Sequence, residues 1–203
     1  MPTAPDTAAV PRRGRPGYDR AQVLEVAVTL FNEQGYDATS VADLAAKLGL
    51  TKSALYHHFD SKEQLLALAL DQALSELEGV LDQPAAHDGT PAERLAAVLR
   101  GAVHVLVDEL PAVTLLLRVR GNSDVERAAL ERRRAFDHRV TALVAEAQSA
   151  GQLRADVDDA VATRLVFGMV NSLVEWYRPG GAVDVDRLAH DVVALTLDGL
   201  RTR

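Results

Sequence analysis

The chain has 203 residues, 48% of them hydrophobic, enough to form the core of one large domain or two small ones, and a formal net charge of −7. It contains no cysteine, which excludes disulfides, thiolate metal sites and thiol nucleophiles and suits a reducing cytoplasm. No apolar run approaches the about 18 residues of a membrane span, and residues 1–17 lack the continuous apolar stretch of a signal peptide, so no membrane partner is expected.

The charge is unevenly placed. Residues 1–62 hold seven Lys/Arg and seven Asp/Glu, and the rest of the chain carries the whole negative excess. An acidic body does not exclude nucleic-acid contact, which depends on a local patch. Val, Leu and Ala recur at spacings of three and four, and strict alternation is rare, so the expected fold class is all-α.

Residues 1–17, with four prolines and three arginines, read as a flexible basic arm. Asp19 caps a first helix running to Gln34, whose inner face is Val23, Ala27, Leu30 and Phe31, and Gly35 ends it. Ser40, with Asp43 three residues on, starts a short helix with Val41, Leu44, Ala45 and Leu48 inside. Gly49 breaks the chain, and Thr51 caps a second short helix ending near Phe59. Ser61 and Gln64 repeat the capping pattern and open a longer helix reaching Leu81. Residues 84–90 read as a linker. Five further helices are expected at about 91–107, 110–119, 124–150, 157–177 and 185–199, separated by Gly121-Asn122, Gly151 and Pro179-Gly180-Gly181.

Residues 39–59, TSVADLAAKLGLTKSALYHHF, have the spacing of a helix-turn-helix. At about 100° per residue, Lys52, Ser53, Tyr56 and His57 share one side of the second helix, with Ala54 and Leu55 opposite. A cation, a hydroxyl, a phenol and an imidazole suit phosphate oxygens and base edges and are a poor set for burial. The same wheel puts His58 near the inner edge. His57 and His58 diverge too far to ligate one metal together, so no metal is expected. Thr39, Ser40 and Lys62 stand at helix starts, where phosphates can be clamped. Pattern alone also fits a plain three-helix subdomain with caps and an amphipathic middle helix.

The stretch TSVADLAAKLGLTKSALYHHFDSKEQLL resembles the DNA-binding domain of TetR-type transcriptional regulators. The resemblance covers residues 18–66. It rests on the Thr39 region, Asp43-Leu44-Ala45, Gly49-Leu50, residues 52–56, His58-Phe59 and Lys62-Glu63. It implies a DNA-binding domain over 18–64 and a helical ligand-binding and dimerisation domain over 65–203. It also implies a cytoplasmic homodimer acting as repressor on a palindromic double-stranded operator. DNA contacts would fall on Thr39, Ser40, Lys52, Ser53, Tyr56, His57, His58 and Lys62. Tyr56, His58 and Lys62 would mostly hold phosphates, and Lys52, Ser53 and His57 would read bases.

The segments LLLRVRGNSD, GQLRADVDDAVATRLVFGMVNSLVEWYRPGG and LDGL resemble a TetR subgroup that responds to acyl-CoA thioesters and governs breakdown of fatty acids, phenylacetate or steroid-like compounds. The effector would then be an acyl-CoA, and no other cofactor is expected. Leu115 to Leu117, Val166, Phe167, Met169 and Val170 would line an acyl tunnel or simply form core. Arg118, Arg120, Arg134, Arg139 and Arg178 are available to meet phosphates, with Arg118 and Arg178 ranked first because they flank those segments, and Trp176 would stack on adenine or pack at a dimer seam. A stripe of Val185, Leu188, Val192, Leu195 and Leu197 is expected to pack on the preceding helix and on a second copy.

The segment ERRRAFDHR (131–139) reads as a solvated charged face, and His87, His104, His138 and His190 as scattered core or surface histidines. Three other functions stand beside the repressor. A ligandless architectural DNA-binding protein should be basic and would not need a large acidic body. A regulator of drug efflux would want a broad aromatic pocket, against 4% aromatic residues here. A helical CoA-binding enzyme would need catalytic groups, and the chain has no P-loop, dinucleotide fingerprint, nucleophile elbow or H-E-x-x-H motif, so no catalytic residue is assigned.

Overall fold

The computed structural model describes residues 18–201. The described residues form ten α-helices: α1 (Arg20–Gln34), α2 (Val41–Leu48), α3 (Lys52–Tyr56), α4 (Lys62–Asp82), α5 (Pro91–Asp108), α6 (Leu110–Arg118), α7 (Asp124–Ser149), α8 (Asp159–Asn171), α9 (Leu173–Trp176) and α10 (Val185–Leu200). A 3-10 turn at Pro84–Ala86 lies within the expected linker. The only extended pairing among the described residues is one isolated bridge, Leu153 to Arg201. The basic arm and its arginines lie outside the described residues.

The helix starts follow local chemistry. Asp19 and Gln22 form a reciprocal capping box, as do Ser40 and Asp43, each worth about 1 kcal/mol to its helix. Ser61 accepts from the Gln64 N–H, but the Gln64 side chain reaches one residue further back, to the Asp60 N–H at 2.8 Å. Gly49 sits at φ 64°, and the N–H of Leu50 bonds the carbonyl of Ala45 at 2.8 Å. That left-handed turn brings α3 across α2 and favours glycine.

Three elements differ from expectation. The helix expected to reach Phe59 ends at Tyr56, because His57 and His58 bond carbonyls three residues back, Ala54 and Leu55. That tightened turn drops Phe59, 3% exposed, into the core. The helix expected over 157–177 breaks at Ser172, whose hydroxyl donates to the Met169 carbonyl at 2.7 Å. The α10 stripe packs on α5 rather than on the helix before it. Leu188, Val192 and Leu197 are buried within the monomer, and Leu195 points out at 69% exposure.

The expected boundary at 64/65 falls inside α4, which runs unbroken from one unit into the other. Leu65, Leu66, Ala69 and Leu70 of α4 share one buried cluster with Val23, Phe31 and Leu44 of the head and with Leu115 and Leu116 of α6. Each of these Leu, Val and Phe side chains, fully buried, contributes about 2 kcal/mol of apolar transfer. A second cluster joins the far half of α4 to α5, α7, α8 and α10.

Candidate nucleic-acid interface and effector cavity

The eight head residues divide into two groups. Lys52, Ser53, Tyr56 and His57 are exposed on α3 and its cap, Tyr56 at 51%. Among the described residues, no hydrogen bond or ion pair engages any of these four side chains. Leu55 opposite them is buried, so the helix is anchored by one face and offers the other. His58 is half-buried beside Phe59, between the two sets.

Thr39, Ser40 and Lys62 stand at the helix starts and already have partners within the chain. Thr39 is 1% exposed, and its hydroxyl donates to the Gly35 carbonyl at 2.8 Å, so it closes the α1–α2 turn. The Ser40 hydroxyl and N–H both donate to the Asp43 carboxylate, at 2.6 and 2.8 Å. Those bonds hold the Asp43 carboxyl below its ordinary range, and the carboxylate already occupies the N-terminus of α2. The Lys62 ammonium donates to the carbonyls of Tyr36 and Thr39, at 2.8 and 2.9 Å, and lies 4.2 Å from the Tyr36 ring centre. It staples α4 to the α1–α2 turn. Residue spacing did not reveal this, since the two segments lie far apart in sequence. The Tyr36 ring packs edge-on against Phe31, 5.1 Å away, and burial raises its phenol above the ordinary range.

In the body, a cavity of about 40 Å³ lies among α4, α5, α6, α7 and α8. Most of its wall is apolar, with Leu106, Leu116, Phe136, Phe167 and Val170 prominent and Phe136 edge-on to Phe167 at 5.4 Å. Drug-sized ligands occupy roughly 300–1,000 Å³, so any sizeable guest must push these helices apart. Of the residues named from the sequence, Leu116, Leu117, Phe167 and Val170 line the cavity; Leu115, Arg118, Val166, Met169, Trp176 and Arg178 do not. Arg178 donates to the carbonyls of Tyr177 and Glu175, and Trp176 stands 50% exposed on the surface.

Arg118 has a different place. Its guanidinium donates to the Asn32 carbonyl of α1 at 2.5 Å, and the Asn32 side-chain amide donates to the Pro111 carbonyl of α6 at 2.8 Å. Helix α6 therefore forms a wall of the cavity and is tied at both ends to the head. The loop after it is held by Glu126, 5% exposed, whose carboxylate accepts the N–H groups of Arg120, Gly121 and Asn122 at 2.8, 2.8 and 3.1 Å. Burial pushes this carboxyl up, and the three donors outweigh it, leaving it below its ordinary range.

Sequence reasoning missed the polar residues on the cavity wall: Arg133, Asp137 and Asn171. Burial raises the Asp137 carboxyl above its ordinary range, against the pull of Arg133, His138 and Arg164. The one signal available was Arg133 and Asp137 at helical i, i+4 spacing within ERRRAFDHR. Among the described residues, no three His, Asp or Glu side chains are grouped to hold a metal, and no helix is long and apolar enough to cross a membrane.

Residues 23–69 match the family of bacterial regulatory proteins called tetR, and residues 88–200 match the tetracyclin repressor-like C-terminal domain. The chain is 32% identical to the HTH-type transcriptional repressor KstR2 of Rhodococcus jostii over 209 residues, covering 98% of this chain and 96% of the relative. A crystal structure of a TetR transcriptional regulator family member from Streptomyces coelicolor superposes with a TM-score of 0.84 at 51% identity, covering 97% of this chain and 94% of that one. The structure of AibR in complex with isovaleryl coenzyme A and operator DNA superposes with a TM-score of 0.74 at 25% identity, covering 87% of this chain and 96% of that one.

Proposed function

The chain belongs to the TetR family of bacterial regulatory proteins, and from that premise we propose that it is a homodimeric repressor that releases a palindromic operator when an acyl-CoA thioester enters its body. The observation that carries the DNA half is the exposed set Lys52, Ser53, Tyr56 and His57 on one side of α3, unpartnered among the described residues. These groups need no rearrangement to donate to phosphates and base edges. Support for the effector comes from the apolar cavity, from the CoA thioester named for AibR and from the likeness to KstR2. The genes controlled would serve catabolism of fatty-acid, phenylacetate or steroid-like acids.

Val161 and Leu165 of α8 are 46% and 67% exposed, and Leu195 of α10 69%. A second copy is the partner that covers them, by a two-fold axis that repeats the same patch on both sides. The paired heads then read inverted half-sites about one helical turn apart or a multiple of it.

Coupling follows from the walls of the cavity. An acyl group opening the space moves α6 through Val113, Leu116 and Leu117, and α4 through Ala73 and Leu77. Helix α6 is bonded to α1 at Asn32, and α4 carries Lys62 at its head end. Both routes change the head's orientation, so DNA and effector favour different states and oppose each other's binding. Fluorescence anisotropy on the protein's own upstream DNA, with a panel of acyl-CoA thioesters and their free acids, tests this. Release by one thioester and not by its acid is expected. Binding that no thioester reverses would sink the effector assignment, and absence of DNA binding would sink the whole reading.

A further inference from the structure

A second depression adjoins the cavity. The groove between α7 and α8 measures about 380 Å³ and is lined by Arg134, Asp137, His138, Thr141, Thr163 and Arg164. Asp137 lines both spaces, so the groove opens beside the cavity wall. Arg133, one residue before Arg134, lines the cavity itself.

The cations here differ from their neighbours on the same helix. Arg132 is bound by Glu78, Asp71 and Ser75, and Arg139 by Asp82. Arg133, Arg134, His138 and Arg164 make no hydrogen bond or ion pair within 4.0 Å among the described residues; Asp137 feels three of them, Arg133, His138 and Arg164. Three arginines and a histidine around one carboxylate leave a net positive patch on a chain of charge −7. Unpaired guanidinium groups beside an apolar hole define an amphiphile: an apolar portion joined to a multiply charged anion. Planar guanidinium forks match phosphate oxygens with two hydrogen bonds at once.

We propose that this α7/α8 groove is the coenzyme A half of the effector site, with Arg134, Arg164 and His138 on the phosphates and the acyl group in the adjoining cavity. Asp137, Arg133 and Asn171 lie where the two spaces meet or on the cavity wall, and suit the amide groups of the pantetheine arm. The inference rests on the acyl-CoA reading above and names the residues that would make it selective for thioesters over free acids. The wall residues Phe167 and Val170 supply apolar contact common to both and cannot discriminate.

The test uses the full chain and free coenzyme A as probe, followed by calorimetric titration at two salt concentrations. The double variant Arg134→Ala/Arg164→Ala should weaken coenzyme A binding by about ten-fold or more and flatten its salt dependence. Arg134→Lys/Arg164→Lys should recover part of the loss. Both side chains are exposed, so thermal melting and operator affinity without effector should match the parent chain. Coenzyme A binding that is equal in parent and double variant, or absent in the parent, overturns the groove assignment. Operator release by thioesters is read separately. Release with unchanged sensitivity in the double variant removes the groove and keeps the acyl-CoA reading. Groove-dependent coenzyme A binding without release by any thioester keeps the groove and removes that reading.

Discussion

The head and the body prepare their binding surfaces in opposite ways. On α3, the polar groups are exposed, with no partner among the described residues, and the helix is held from behind by Leu55 and Phe59. In the body, the apolar surface is closed down to about 40 Å³, and a ligand must do work on packed helices to enter. A preformed face costs little to bind. A closed one costs more, and that cost moves the protein. The two belong together in a switch, because the state stabilised by an opened body need not be the state that fits DNA.

The largest expected effect tests whether the body is closed by packing. Phe167→Ala removes one ring of the Phe136–Phe167 pair and should cost about 3 kcal/mol or more of stability in denaturant unfolding. A loss under about 1 kcal/mol would mean that the body is already loose, and the contrast with the head would fail.

Lys62 separates scaffold from contact within the head. Lys62→Met should cost about 2 kcal/mol of folding stability, since it leaves the Tyr36 and Thr39 carbonyls without their charged donor. The salt slope of operator binding should stay as it was in the parent. A shallower slope with unchanged melting would return Lys62 to the phosphate contacts.

Lys52→Ala and Tyr56→Ala should do the reverse. Each should weaken operator binding by about 1–2 kcal/mol with unaltered melting, and Lys52→Ala should lower the salt slope by about one. Equal loss on random DNA would assign Lys52 to phosphates rather than bases.

The smallest effect concerns Asp137. Its folded-state carboxyl is raised by burial, so the folded chain holds this proton more tightly than the unfolded one. That residue's contribution to stability is therefore best below the ordinary aspartate range and declines as pH rises through it toward the raised value. Asp137→Asn should melt slightly higher than the parent at neutral pH, and the gap should close in acid. A gap that widens in acid would show that Asp137 is held by its cations rather than strained by burial.

The sequence by itself determined what depends on neighbours in the chain. Caps at Asp19, Ser40 and Thr51, the left-handed turn at Gly49 and the 3.6-residue periodicity are local. They make the all-α class and the outward set Lys52, Ser53, Tyr56 and His57 legible in the sequence. Tertiary structure alone decided which polar groups were already spoken for. Thr39 and Lys62 carry the right chemistry at the right helix starts, yet the first is buried against Gly35 and the second is bonded 26 residues back to Tyr36. Arg118 lies near the segments that resemble acyl-CoA regulators, yet it is bonded to Asn32, 86 residues away. Within the charged run 131–139, only the packing on α4 and α8 separates Arg132 and Arg139, which have partners, from Arg133 and Arg134, which have none among the described residues. Helical periodicity tells which way a side chain points; whether a partner waits there depends on which distant helix the fold brings alongside.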